Sequence, residues 1–189
     1  MPTDPPTDPS LPANEAGERT LYLGLGSNLG DREACLAAAL RRLRALPWLR
    51  IIRVSRTYET EPWGKADQPP FLNLAAEVAT AAAAARLLAA CQQIERDLGR
   101  QPSDRWGPRV VDIDILLAAE GVIDEPDLKV PHPFLEDRQF VLVPLAEIAP
   151  DVRLPSGRTA ADAARPDDAG IRLYTPRHSR EALCDTMAP

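Results

Sequence analysis

Hydrophobic and polar positions alternate or recur along most of this chain with periods that predict definite elements. Thr20 to Gly26 alternate cleanly, with Leu21, Leu23 and Leu25 on one side and Tyr22, Gly24 and Gly26 on the other, which predicts a strand. Asp31 suits a helix N-cap. The following residues to about Leu46 place Leu36, Leu40 and Leu43 on one face and arginines on the other, until Pro47 stops the helix. Residues 50–60 read as a second strand, with Ile52, Val54, Tyr58 and Thr60 sharing a face. Three prolines and a glycine mark Glu61 to Pro70 as a loop. In residues 71–80, Leu72, Leu74, Ala76 and Val78 take one face of a third strand, and Phe71, Asn73 and Glu77 the other. A second helix from about Ala83 to Leu98 buries Leu87, Cys91, Ile94 and Leu98, with Gly99 as a terminating residue. Residues 100–109 form a polar, arginine-bearing loop. In the fourth strand, Val110 to Ala118, one face carries Val111, Ile113, Ile115 and Leu117. An irregular stretch, a short helix around Val141–Ala149 and a weakly patterned tail complete the chain.

The order β-α-β-β-α-β predicts an α+β fold of the ferredoxin-like, split βαβ type: one antiparallel sheet, both helices on one face, and the functional face on the other. Residues 1–18, rich in Pro, Asp and Thr, are expected to be a disordered leader. The expected domain covers residues 19–160, and residues 161–189 are a C-terminal tail.

Composition narrows the setting. The chain has 189 residues, is 44% hydrophobic and carries a net charge of −6, so it can bury a core and has no global attraction to nucleic acid or an anionic membrane. Cys35, Cys91 and Cys184 are widely spaced and odd in number, which argues against a disulfide framework; Cys35 and Cys91 read as core. The first residues have neither a basic nor an apolar region of a signal peptide, and Val78 to Ala90 is too short and interrupted to span a bilayer. A cytoplasmic protein is expected, working as a monomer.

Candidate chemistry centres on the fourth strand. Asp112 and Asp114, two apart, point the same way with Cα atoms roughly 7 Å apart. Unpaired, they would repel and one would tend to hold a proton. A divalent cation removes the conflict, and magnesium needs only one or two carboxylates with phosphate and water. A bare D-x-D is more often a solvated strand face, but aspartate is disfavoured within strands. Arg105 and Arg109 lie just upstream on a Gly-Pro turn, and guanidinium forks suit phosphate oxygens. Either arginine could instead pair with the aspartates. Trp106 between them could stack on a flat ring or plug the turn. Gly24-Leu25-Gly26-Ser27-Asn28-Leu29-Gly30 has the spacing of neither a dinucleotide fingerprint nor a P-loop; Gly24 and Gly26 leave room on the open face for a flat ligand. His132, in a Pro-flanked loop, can act as a donor to a phosphate.

These residues together resemble the 6-hydroxymethyl-7,8-dihydropterin pyrophosphokinase family. The matching pieces run in order from Leu23–Asp31 through Ser55–Gly64, Gln68–Asn73, Ile94-Glu95 and Gly99-Arg100. The most specific, Arg105-Trp106-Gly107-Pro108-Arg109-Val110-Val111-Asp112-Ile113-Asp114, follows, and then Val130-Pro131-His132 and Arg138-Gln139-Phe140. The resemblance implies transfer of diphosphate from ATP to the pterin hydroxymethyl group, releasing AMP, with ATP as co-substrate and two magnesium ions on Asp112 and Asp114. It implies catalytic roles for Arg100, Arg109 and Asp114. It implies a pterin site of Thr60, Glu61, Trp63, Phe71, Asn73, Trp106 and Phe140, with Phe71 and Phe140 sandwiching the ring. It implies an ATP site of Gln92, Glu95, Arg100, Trp106, Arg109, Ile115, Leu128, Lys129, His132 and Arg138. A weakened pterin- or nucleotide-binding module is the alternative, as is a different magnesium-dependent phosphoryl or nucleotidyl transferase. Three departures stand out: Pro102 where some members carry a basic residue, an arginine loop one residue short, and Pro133 where a tyrosine often follows the histidine.

Overall fold

The computed structural model describes residues 17–64, 67–101, 107–119, 121–168 and 170–175. Strand β1 (Arg19–Ser27) leads into helix α1 (Arg32–Arg44), then β2 (Leu49–Val54), β3 (Tyr58–Thr60) and β4 (Phe71–Thr80). Helix α2 (Ala84–Asp97) connects to β5 (Asp112–Ala118). A hairpin of β6 (Ile123–Glu125) and β7 (Leu128–Val130) follows, then α3 (Gln139–Ile148), α4 (Ala160–Ala163) and β8 (Ile171–Leu173). The main sheet runs β5-β1-β4-β3-β8, with β2 also paired to β4, and every pairing is antiparallel. The expected leader falls almost wholly outside the described residues, as do the last residues of the tail.

Local chemistry explains the two long helices. Asp31 accepts a hydrogen bond from the Ala34 amide at 3.1 Å, capping α1, and Arg41, Arg42 and Arg44 lie in its last turn where the helix dipole favours cations. Gly99, at φ +95°, ends α2 in a conformation that only glycine adopts without strain. Leu36, Ala39 and Leu43 of α1 and Leu87, Cys91 and Ile94 of α2 pack on Leu21, Leu23, Leu25, Leu72, Ala76, Val78, Ile113 and Ile115 of the sheet. Cys91 is fully buried, while Cys35 is only half-buried.

The structure departs from the pattern in four places. The expected strand 50–60 is two short strands. Ser55 interrupts it, donating its amide to the Ala75 carbonyl and accepting the Ala75 amide on its hydroxyl, both at 2.9 Å. The register also shifts between Ile51 and Arg53, so Ile52 is extruded and 38% exposed. Val54 therefore faces the helices opposite Ala76, whereas Tyr58 and Thr60 lie on the other face opposite Asn73 and Phe71. A second shift between Tyr22 and Leu23 puts Leu117 beside Tyr22 on the second face and not with Ile115.

Third, that face is not wholly open. Helices α3 and α4 cover part of it, packing Val141, Leu142, Leu145, Ile148, Ala160 and Ala163 against Tyr22, Ala75, Leu116 and Leu117. Fourth, residues beyond 160 belong to the fold: α4 packs on α3, and β8 pairs with β3. The uncovered remainder of the second face is where the candidate chemistry lies.

Candidate functional site

The floor of the site is built by strand register. Gly24 lies between Asp114 of β5 and Ala75 of β4, and Gly26 lies between Asp112 and Asn73. With no side chains on these two positions, a clear strip of backbone separates the carboxylates from Asn73. The space is specific: a Cβ on Gly26 would stand 2.9 Å from Asn73 Oδ1, and one on Gly24 3.1 Å from a Leu116 methyl. Asn73 Nδ2 donates to Thr60 Oγ1 at 2.7 Å, which fixes the amide so that its oxygen faces the Gly26 side. Phe71 is paired with Thr60 at the far end of the strip.

Three segments raise walls around this floor and enclose a cavity of about 240 Å³. Glu61 and Trp63 come from the loop after β3, His132 and Phe134 from the segment after β7, and Arg138 and Phe140 from the start of α3. The Arg138 guanidinium lies 4.7 Å from the Trp63 ring centroid, 5.2 Å from Phe134 and 5.7 Å from Phe140. Such contacts stabilise a cation over ring faces. Burial lowers the Arg138 pKa from its ordinary value, and its buried Nε has no hydrogen-bond partner among the described residues.

His132 is held on both sides. Its amide donates to the Leu116 carbonyl at 2.7 Å, and its Nδ1 accepts from the Phe134 amide at 3.2 Å. Burial, and then the neighbouring Arg138, push its pKa down to about 4. The ring is neutral near pH 7, and with Nδ1 accepting, the proton is on Nε2. His132 is thus a neutral donor, not a cation.

The two aspartates have different surroundings. Asp112 Oδ1 receives Arg109 Nη1 at 2.6 Å and Arg100 Nη1 at 3.0 Å. The pairing of arginine with aspartate that the sequence left open is therefore present at Asp112. Arg100 also pairs with Glu95 of α2, whose other oxygen accepts the Ile113 amide at 2.7 Å. Arg109 is placed by Asn28, which accepts its amide on Oδ1 at 2.7 Å and donates its own amide to the Arg109 carbonyl at 3.0 Å. Asp114 has no hydrogen bond or ion pair among the described residues. Burial, and then the charge of Asp112, raise its pKa to about 7. An unpartnered, half-buried carboxyl beside a second one fits a divalent cation that takes its remaining ligands from phosphate and water. No cluster of three or more metal-ligating side chains occurs among the described residues.

The pocket brings together Thr60, Glu61, Trp63, Phe71, Asn73, Arg109, Asp112, Asp114, His132, Arg138 and Phe140. Glu95 and Arg100 stand one layer behind, touching Asp112 or its strand. The remaining expected ATP contacts do not line it. Gln92 is exposed on α2, Ile115 and Leu128 have their side chains in the helix-side core, and Lys129 is exposed and paired with Asp124 at 2.8 Å. Trp106 lies outside the described residues, as do Arg105 and Pro102. Phe134 was missed; its only signal is an aromatic residue two positions after the histidine in a polar stretch.

Comparison with known proteins identifies the family. The family described as 7,8-dihydro-6-hydroxymethylpterin-pyrophosphokinase (HPPK) matches residues 22–150. The 2-amino-4-hydroxy-6-hydroxymethyldihydropteridine pyrophosphokinase of Methylorubrum extorquens is 48% identical over 79% of this chain and 95% of its own length. The enzyme of that name from Pseudomonas aeruginosa is 49% identical over 73% of this chain and 85% of its own, and that from Bacillus subtilis 44% over 81% and 89%. Among solved structures, wild-type Plasmodium falciparum HPPK-DHPS with SDX-DHP overlays with a TM-score of 0.60 at 16% identity, covering 77% of this chain. An HPPK-DHPS in complex with substrates gives 0.61 at 14% identity over 77%. This chain spans 44% of each of those two longer chains, and at such identities the likeness is one of fold. The chain belongs to the 7,8-dihydro-6-hydroxymethylpterin-pyrophosphokinase family and carries that family's pyrophosphoryl-transfer activity in folate biosynthesis.

Proposed function

We propose that this pocket moves diphosphate from ATP to the hydroxymethyl group of 6-hydroxymethyl-7,8-dihydropterin, releasing AMP, and that Asp112 and Asp114 hold two magnesium ions as it does so. The observation that carries the reading is the shared face: both carboxylates, the glycine strip, Asn73 and Phe71 lie on one side of the sheet, in one cavity. The strand order β5-β1-β4-β3, with α1 and α2 on one face, supports a ferredoxin-like reading of the fold.

The chain's residues divide the work. A flat pterin rests on the glycine strip between Phe71 and Phe140, and Asn73 Oδ1 accepts a ring N–H while Thr60 holds its amide. Arg138 and the His132 Nε2–H face the nucleotide side. Bound at the aspartates, magnesium supplies charge neutralisation for the triphosphate and polarises the reacting oxygens. Arg100 and Arg109, which neutralise Asp112 in the free protein, turn to the phosphates, where their forks match the oxygens. The hydroxyl attacks the β-phosphorus in line, and the protein's share is positioning and charge stabilisation. An arginine acting only in the transition state contributes about 2.7–4 kcal/mol, by the scale of oxyanion-hole donors. The loop at 61–64, with Trp63 stacked on Arg138, closes the pterin side against water. A monomer in the cytoplasm is consistent with this; no helix among the described residues is long and apolar enough to cross a membrane.

The test combines the protein with ATP, magnesium and the pterin alcohol. AMP and a pterin diphosphate are expected. ADP would mean simple kinase chemistry, and no turnover would favour a binding module. Asp112→Ala and Asp114→Ala should each abolish turnover with the fold intact; full activity in both would overturn the metal assignment.

A further inference from the structure

The C-terminal strand β8 lies beyond the family-matched residues 22–150, yet it touches the strand that bears one wall of the pocket. Strand β3 has only three residues, Tyr58 to Thr60, and supplies Thr60 directly and Glu61 and Trp63 just beyond its end. On one side β3 is paired with β4, where Thr60 meets Phe71. Its other side would be a bare sheet edge three residues long, which is prone to fray. β8 occupies that edge. Tyr58, Glu59 and Thr60 pair with Leu173, Arg172 and Ile171. Beyond the strand ends, the Glu61 amide donates to the Gly170 carbonyl at 3.1 Å, and the Tyr174 amide donates to Thr57 at 2.9 Å. These two bonds put the intervening Glu59–Arg172 pair in hydrogen-bonded register, so the Glu59 and Glu61 amides both point to β8.

Side chains extend the hold to the start of β4. Arg172 lies 3.9 Å from Glu59 and 3.7 Å from Glu61. Glu59 also pairs at 2.8 Å with Arg32 of α1, and Arg32 donates at 2.8 Å to the carbonyl of Pro70, the residue before Phe71. Tyr174 packs against the helix-side core, which fastens the end of β8. One continuous set of bonds thus runs from β8 through β3 to both Thr60 and the start of β4. None of it touches the aspartates, Arg109 or His132.

We propose that β8, through its main-chain pairing with Glu59 and Glu61 and through Arg172, is a positioning strand for the pterin half of the site. It sets Thr60, and through Thr60 the Asn73 amide, before substrate arrives, and it leaves the nucleotide half unaffected. This rests on the functional reading above.

The test is Arg172→Pro in the full chain, which removes the ladder donor opposite Glu59. Affinities for 6-hydroxymethylpterin (with a non-hydrolysable ATP analogue present) and for the analogue alone are measured, with amide hydrogen exchange. Glu59 and Glu61 should exchange about tenfold faster or more, the pterin Kd should rise about tenfold, and the analogue Kd should stay within about twofold. In turnover, KM for the pterin should rise with little change in kcat. Lost protection with an unchanged pterin Kd, or a parallel rise in both Kd values, overturns the proposal. If Arg172→Pro does not fold, exchange on the wild-type chain decides: pterin should further slow Glu59, Glu61 and Arg172, and no change there overturns it equally. Wild-type protein that binds the analogue but never the pterin rejects the functional reading as well, which separates the two failures.

Discussion

At the scale of single residues, the site depends on what is missing from β1. The alternation around Tyr22 showed that Gly24 and Gly26 would face the side away from the helices, so the floor was legible in the sequence. Which neighbour each glycine spares was not, because that depends on register with β4 and on the irregularity at Leu116. The difference has a consequence. A methyl on Gly26 meets the Asn73 carbonyl oxygen at 2.9 Å, and Asn73 is tied to Thr60 and cannot turn aside without losing that bond. A methyl on Gly24 meets the buried, apolar Leu116 side chain at 3.1 Å, which has no hydrogen bond to lose. Gly26→Ala should therefore weaken pterin binding by about tenfold or more, and Gly24→Ala by only a few-fold, with nucleotide affinity nearly constant in both. Calorimetric titration of both ligands checks this; equal losses in the two variants would contradict the assignment of Asn73. The charge state of His132 was equally illegible, since it comes from burial beside Arg138, a residue six positions later on another element.

At the scale of elements, periodicity recovered the strands and helices that bury a full stripe and failed where the ladder is broken by a side chain. The aliphatic runs of β1, β4 and β5 and the caps of α1 and α2 were readable because each has its cause nearby in the sequence. The break between β2 and β3 was not, because it arises across the sheet: Ser55 takes over the backbone of Ala75 from a neighbouring strand. That hydroxyl also donates to the Arg56 carbonyl at 2.7 Å, and Ser55 is 8% exposed. Ser55→Ala leaves the buried Ala75 amide without its acceptor, and unfolding in urea should show a loss of about 1–3 kcal/mol. A loss near zero would mean that water or a shifted strand replaces the hydroxyl. The hairpin β6–β7 and the strand β8 were missed because three-residue strands carry too few positions for a period to register.

At the scale of the whole molecule, the pocket joins the two packed layers and couples its own chemistry to global stability. Asp114 and His132 both lie in it and both are shifted, in opposite senses. Asp114 holds its proton up to about 7 in the fold against 3.8 unfolded, so between those values the folded state keeps a proton that the unfolded chain releases, and stability falls as pH rises. His132 titrates near 4 in the fold against 6.5 unfolded, so across that window the unfolded chain takes up a proton that the folded state refuses, and stability rises with pH. The two slopes overlap and oppose, each bounded by about 1.4 kcal/mol per pH unit for one proton. Single substitutions should separate them. Relative to the wild type, Asp114→Asn should gain stability as pH rises from about 4 to about 7, because it removes the falling contribution and relieves Asp112 of its neighbour. His132→Asn, which keeps an acceptor for the Phe134 amide, should lose relative stability over the same range. Urea midpoints across this interval give the differences directly, and parallel curves for wild type and both variants would show that neither group is held as the structure places it. Magnesium with a nucleotide analogue should flatten the Asp114 contribution in the wild type, since carboxylates that bind a metal must give up their proton. That flattening should be absent in Asp114→Asn, which ties the pH dependence of folding to the carboxyl pair at the centre of the site.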